Sequence, residues 1–201
     1  MKKSSAFGFL EHRILPLFVC SQLFLFLGCG KAYKVEKFKE YRLHIAESPA
    51  PMENEFRSLI NEFNNLAGMR VLVWESDPSK ANSAIIVTSG LKAKTGGKIG
   101  LGQWIAESET SETSMSLNGS KSKQKIYYSM RLEFDLEYFK NRSENNQQNL
   151  YEKQKLFFHE AGHGLEMNHN TQQTDDLMYP DISGTKDFEK FFKKVRVYMQ
   201  E

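Results

Sequence analysis

Three histidines and one glutamate carry the chemistry open to this chain. It reads His159-Glu160-Ala161-Gly162-His163-Gly164-Leu165-Glu166-Met167-Asn168-His169, an HExxH motif with one more histidine six residues on. Residues four apart share a helix face, so a helix stacks the His159 and His163 imidazoles about 6 Å apart, close enough to grip one cation. Zn²⁺ suits such a pair, since imidazole nitrogens bind it at about 2.0–2.1 Å and its sites are tetrahedral. A catalytic zinc needs a third protein ligand and one open position. His169 can be that ligand if the helix stops near Gly164 and the chain turns back. Glu160 sits beside both helical ligands without binding the ion, which is the place of a general base. The expected chemistry follows: the metal lowers the pKa of water from 15.7 toward about 7, Glu160 takes the proton, and hydroxide attacks a polarised carbonyl. Glu160 can then pass the proton to the leaving amine. Of the five histidines in the chain, three crowd into this one stretch, whereas the solitary His44 reads as a core residue.

The elements that must position these groups are legible from periodicity. The spacing predicts a helix over 150–165 that carries the motif, with Leu150, Phe157 and Ala161 inward. A helix over 52–66 places Met52, Phe56, Leu59, Ile60, Phe63 and Leu66 on one face, and a final one over 187–199 buries Phe188, Phe191, Phe192, Val195 and Met199. Alternating or short apolar runs predict strands over 41–45, 69–74 and 84–88. Gly96-Gly97 and Gly100-Leu101-Gly102 read as a loop leading to an edge strand over 103–106, and the polar tract 108–113 reads as loop. Asn118-Gly119 signals a hairpin turn before a strand over 125–134.

The chain has 201 residues, 40% hydrophobic and 26% charged, enough for one globular domain with a remainder. The remainder is N-terminal. Lys2, Lys3 and Arg13 precede an uncharged apolar stretch over 14–27, too short for the about 20 residues that span a bilayer and laid out as a secretory signal. Phe26-Leu27-Gly28-Cys29 resembles a bacterial lipobox, which implies a signal peptide over 1–28, a lipidated Cys29 with a tether over 29–40, and a domain over 41–201. It also implies an extracytoplasmic protein anchored by lipid to a bacterial membrane, on the periplasmic face or the cell surface. Cys20 is the only other cysteine, so no disulfide framework supports the fold. Lys+Arg (27) nearly balances Asp+Glu (25), and the stretch beyond residue 28 holds 24 of each. That excludes a protein built to grip nucleic acid through its phosphates.

HExxHxxxxxH followed by Leu177-Met178-Tyr179-Pro180 resembles the metzincin clan of zinc endopeptidases, and the LMYP phrase is most similar to its matrixin branch. The resemblance implies an α+β, zincin-like catalytic domain: a mixed twisted sheet packed with an active-site helix, an N-terminal helix and a C-terminal helix. It implies one Zn²⁺ per chain on His159, His163 and His169, Glu160 as catalytic base, and Met178 in a tight turn as an apolar floor below the imidazoles. The substrate would be a protein or peptide segment extended along the edge strand, touched by Leu101, Gly102, Gln103 and Trp104 on one side and Tyr179 and Pro180 on the other. The chain would act as a monomer. Calcium sites are not readable. The chain also departs from the clan. Glu166 stands where glycine is usual, and a non-glycine at positive φ costs roughly 1 kcal/mol, although Gly164 offers an earlier start for the turn. His44 alone cannot build a second, structural zinc site. Pro180-Asp181-Ile182 replaces the usual Pro-x-Tyr wall.

Two other readings stay open at this point. A gluzincin-type peptidase would take Glu189 as third ligand, and a catalytically idle surface lipoprotein would use zinc only to staple the fold. Such a structural site has no need of Glu160 and is normally closed by a fourth ligand. The anchor has its own test. Cys29→Ser should move the chain from the membrane to the soluble fraction of cells, because lipid is the only attachment left after signal cleavage. A processed Cys29→Ser chain that stays with the membrane overturns the anchor and leaves the catalytic expectation standing.

Overall fold

The computed structural model describes residues 35–116, 119–140 and 146–201. Cys29 with the lipobox, and Asn118 of the turn signal, lie outside the described residues. The strands are β1 (Val35–Glu36), β2 (Tyr41–Glu47), β3 (Leu72–Trp74), β4 (Ser83–Thr88), β5 (Gly100–Ser116) and β6 (Gly119–Asp135). The helices are α1 (Glu53–Ala67), the short α2 (Leu91–Lys94) and α3 (Leu136–Lys140), α4 (Gln147–Gly164) and α5 (Phe188–Gln200).

The strands form one mixed sheet in the order β1-β6-β4-β2-β3, with β5 paired to the remaining side of β6. All pairings are parallel except β5 with β6, whose register matches Gly102 to Leu132 and Trp104 to Met130. Because β5 pairs with β6 alone among the described residues, one of its backbone edges is open. The edge strand expected over 103–106 is there, and it starts earlier: Gly100 and Gly102 belong to it rather than to a loop.

Sequence chemistry explains the helices. In α1, Phe56, Leu59, Ile60, Phe63 and Ala67 are buried at helical spacing, and Gly68 at φ 68° ends the helix. Asn146 caps α4 by accepting from the N–H groups of Gln148 and Asn149, and Asp187 caps α5 by accepting from that of Lys190. Aromatic rings fill the space between helices and sheet. Phe63 of α1 meets Phe158 of α4 and Phe192 of α5 with centroids 5.5 and 4.9 Å apart, and Phe134 of β6 lies 5.5 Å from Phe56. In its second half α4 is buried on nearly every side from Leu156 to Gly162, as a helix running through a core must be.

Two expectations change. The polar tract 108–113 is strand, its backbone paired residue by residue from Ser108 with Ile126 to Thr113 with Lys121. An antiparallel ladder satisfies the backbone whatever the side chains, so polarity alone does not mark a loop. Within the stretch expected to be a tether, Val35 and Glu36 pair with Ile126 and Tyr127, so the sheet begins before residue 41.

The α+β architecture thereby brings β5 hard against α4. A Cβ on Gly102 would stand 1.9 Å from the backbone oxygen of Glu160, so no other residue fits without moving strand and helix apart. A glycine inside a strand often marks such a backbone approach. Gly102→Ala should cost about 2–3 kcal/mol by overpacking, seen in a thermal melt as a Tm lower by roughly 4–12 °C. Gln103→Ala next to it, at an exposed position, should stay within about 0.5 kcal/mol of the parent. Equal melts for parent and Gly102→Ala would show that the two backbones are not in this contact.

Candidate metal centre

Helix α4 presents His159 and His163 one turn apart, with ring centroids 4.8 Å from each other. The helix then ends in a Schellman turn: the Glu166 N–H donates to the His163 carbonyl at 3.0 Å and the Met167 N–H to that of Gly162 at 2.9 Å. The left-handed residue of that turn is Glu166, at φ 61°, the one non-glycine with positive φ among the described residues. The reversal therefore falls at Glu166 and not at Gly164. Gly164 is needed for another reason, since a Cβ there would lie 2.4 Å from Cγ of Met130.

The turn returns His169 to the helical pair. Its Nε2 lies 3.0 Å from Nε2 of His163 and 3.4 Å from Nε2 of His159. The opposite ring nitrogens are already committed: Nδ1 of His159 is 2.7 Å from the Leu177 carbonyl, and Nδ1 of His163 is 2.9 Å from the Met167 carbonyl. Those carbonyls assign the proton to Nδ1 and leave the Nε2 lone pairs facing one another. Burial pulls the His159 pKa down to about 4, helped by the charges of His163, His169 and Lys186 and opposed by its bond to Leu177. Burial lowers His163 as well. Ring nitrogens gathered in this way are a ligand set, and the three histidines together could hold a metal ion. Glu189 is not brought to them: it is an exposed residue of α5 paired with Arg196.

Glu160 is only 6% exposed. Burial pushes its carboxyl up to about 7, against the pull of a hydrogen bond from the Gly102 N–H and of the Lys98 charge. It shares with the three histidines a cleft of about 570 Å³, lined by Leu101, Gly102 and Gln103 of β5 on one side and by Pro180, Asp181 and Ile182 on the other. Trp104, 47% exposed, lines an adjoining pocket with His163 and Glu166. Tyr179 is not among the lining residues; its ring lies 5.2 Å from the ammonium of Lys186. That ammonium also donates to the carbonyls of Thr174 and Asp181 at 2.7 and 2.6 Å, tying down the wall of the cleft. His44 lies apart, with Nδ1 3.1 Å from the Glu75 carbonyl.

Met178 is 1% exposed and packs against α4 at Gly162, where a Cβ would come within 2.5 Å of its sulfur. The turn that holds it depends on Asp176, which sequence reasoning missed. Fully buried, Asp176 accepts from the Met178 N–H through Oδ1 at 2.9 Å, and through Oδ2 from Asn170 Nδ2 at 2.7 Å and Lys194 Nζ at 2.6 Å. Burial pushes this carboxyl up, but the bonds from Lys194, Asn170 and Met178 outweigh it and hold the pKa below the usual range. The one local signal was an aspartate two residues before Met178, the spacing of a turn in which a side chain accepts from the backbone.

Metal analysis of the purified protein should find about one ion per chain, and His159→Ala, His163→Ala and His169→Ala should each cut occupancy sharply while Glu189→Ala leaves it unchanged. Loss on Glu189→Ala with retention on His169→Ala would overturn this ligand set. No protein-family model and no curated protein matches the chain, so its function has to come from the geometry of the site itself.

Proposed function

We propose that this chain is a zinc-dependent endopeptidase with a zincin-like, metzincin-type catalytic domain, held by lipid outside the cytoplasm. The observation that carries the reading is a buried carboxylate, Glu160, beside three converging imidazoles in an open cleft bordered by a free strand edge.

Zinc suits the donor set. Ligand nitrogens at 2.0–2.1 Å from a tetrahedral zinc stand about 3.3–3.4 Å apart, close to the 3.0 and 3.4 Å that separate Nε2 of His169 from those of His163 and His159, and the three donor atoms lie within 4.8 Å of one another. Zinc bound by such residues supplies Lewis acidity toward a carbonyl and lowers the pKa of water. The rest is work for the protein's own side chains. Glu160 shares the cleft with the three imidazoles, so it can accept a proton from water and return it to a departing amine. The Gly102 N–H steadies the carboxylate for both steps. The open edge of β5 can align an extended peptide by strand addition, and the wall at 180–182 bounds the other side. An antiparallel edge strand over the HExxH helix, a return loop with the third histidine, a buried methionine turn and a closing helix together support the zincin reading. A purely structural zinc would call for a fourth protein ligand, and the described residues gather only three.

Glu160→Gln keeps the size of the side chain but cannot take up a proton. Zinc content and Tm should stay near those of the parent, while hydrolysis of any peptide the parent cuts should fall by about 10²- to 10⁴-fold. A zinc-loaded parent that hydrolyses nothing in a broad peptide library above the Glu160→Gln background would overturn the enzyme reading and favour a zinc-stapled lipoprotein.

A further inference from the structure

We propose that Asp176, neutralised by Lys194, is the positioning residue for the third ligand, so that metal affinity at the triad depends on a side chain of the C-terminal helix. The proposal rests on the triad being a metal centre and not on any peptidase activity. Asn170 directly follows His169 and is held at two points. Its backbone N–H donates to the Met178 carbonyl at 2.8 Å, and its side-chain amide donates to Asp176. The same Asp176 fixes the Met178 N–H, and the carbonyl of the residue between them, Leu177, orients His159. One carboxylate therefore braces two of the three ligands, one through Asn170 and one through Leu177.

Stability alone does not account for such a group. A buried ion pair is often no better for folding than apolar residues of the same volume. What a carboxylate does that an apolar side chain cannot is hold three donors from three parts of the chain in one geometry. Here these are Asn170 from the return loop, the Met178 N–H from the turn and Lys194 from α5. Lys194 is the only cation among them, and it arrives from a helix that contributes no ligand. Outer partners of metal ligands commonly change affinity by 10- to 100-fold when lost.

The test is a Zn²⁺ titration of the purified full chain against a chromogenic chelator, with apo-protein melts in parallel. Asp176→Asn keeps the acceptor for Met178 but sets an amide against the donors of Asn170 and Lys194. Lys194→Met keeps the stem and removes the charge, and since the Lys194 side chain is 43% exposed it remains testable even if Asp176→Asn fails to fold. Both should weaken zinc by about 10- to 100-fold, and Lys194→Arg should recover most of the loss. Lys153→Met, which breaks the buried pair between α4 and Glu55 of α1, should lower the apo Tm without weakening zinc. Parent-like affinity in Lys194→Met, or a matching affinity loss in Lys153→Met that tracks its Tm, overturns the brace. A parent chain that binds no zinc overturns the metal centre itself and the brace with it.

Discussion

Three imidazoles drawn from a helix and a loop turn their Nε2 edges toward one point, and the arrangement around residues 159–178 holds them there. Nothing in a hydrophobic core requires it. Each ring is fixed from behind or from its loop: the Leu177 carbonyl on His159, the Met167 carbonyl on His163, and the double attachment of Asn170 next to His169. Backbone strain at Glu166 belongs to the same requirement. A left-handed glutamate costs roughly 1 kcal/mol, yet it closes the two Schellman bonds, and one residue of that turn, Met167, also supplies the carbonyl that orients His163.

The second constraint is the closeness of β5 to α4, and it links packing to chemistry. Where no Cβ fits between strand and helix, the Glu160 side chain is left only 6% exposed, and that burial raises its carboxyl pKa. The strand that crowds the helix also supplies the N–H that holds the carboxylate, and among the described residues it pairs with β6 alone. One backbone approach thus both tunes a titrating group and orients it.

Elements whose meaning is local were readable from the chain. The i, i+4 histidines map onto one helix face whatever the rest of the fold does, and the apolar spacing of α1 and α5 needs no partner to be recognised. What stayed hidden depends on distant partners. Residues 108–113 become strand through the opposing strand, Val35 and Glu36 through residues some 90 positions away, and Asp176 becomes the centre of the turn through Lys194. The reversal at Glu166 was misplaced toward Gly164 for a related reason. Glycine suggests conformational freedom in a sequence, and only the packing reveals that Gly164 serves to admit Met130.

The split of the triad between a helix and a return loop has a kinetic consequence. His159 and His163 ride on a helix embedded in the core, whereas His169 is an exposed residue on irregular chain. Local opening takes the route with the fewest buried contacts, so an ion held by all three would depart after the loop lifts away and would arrive first on the helical pair. Exchange at the site would then run at the rate at which Asn170 releases Met178, far faster than the unfolding of the domain around it.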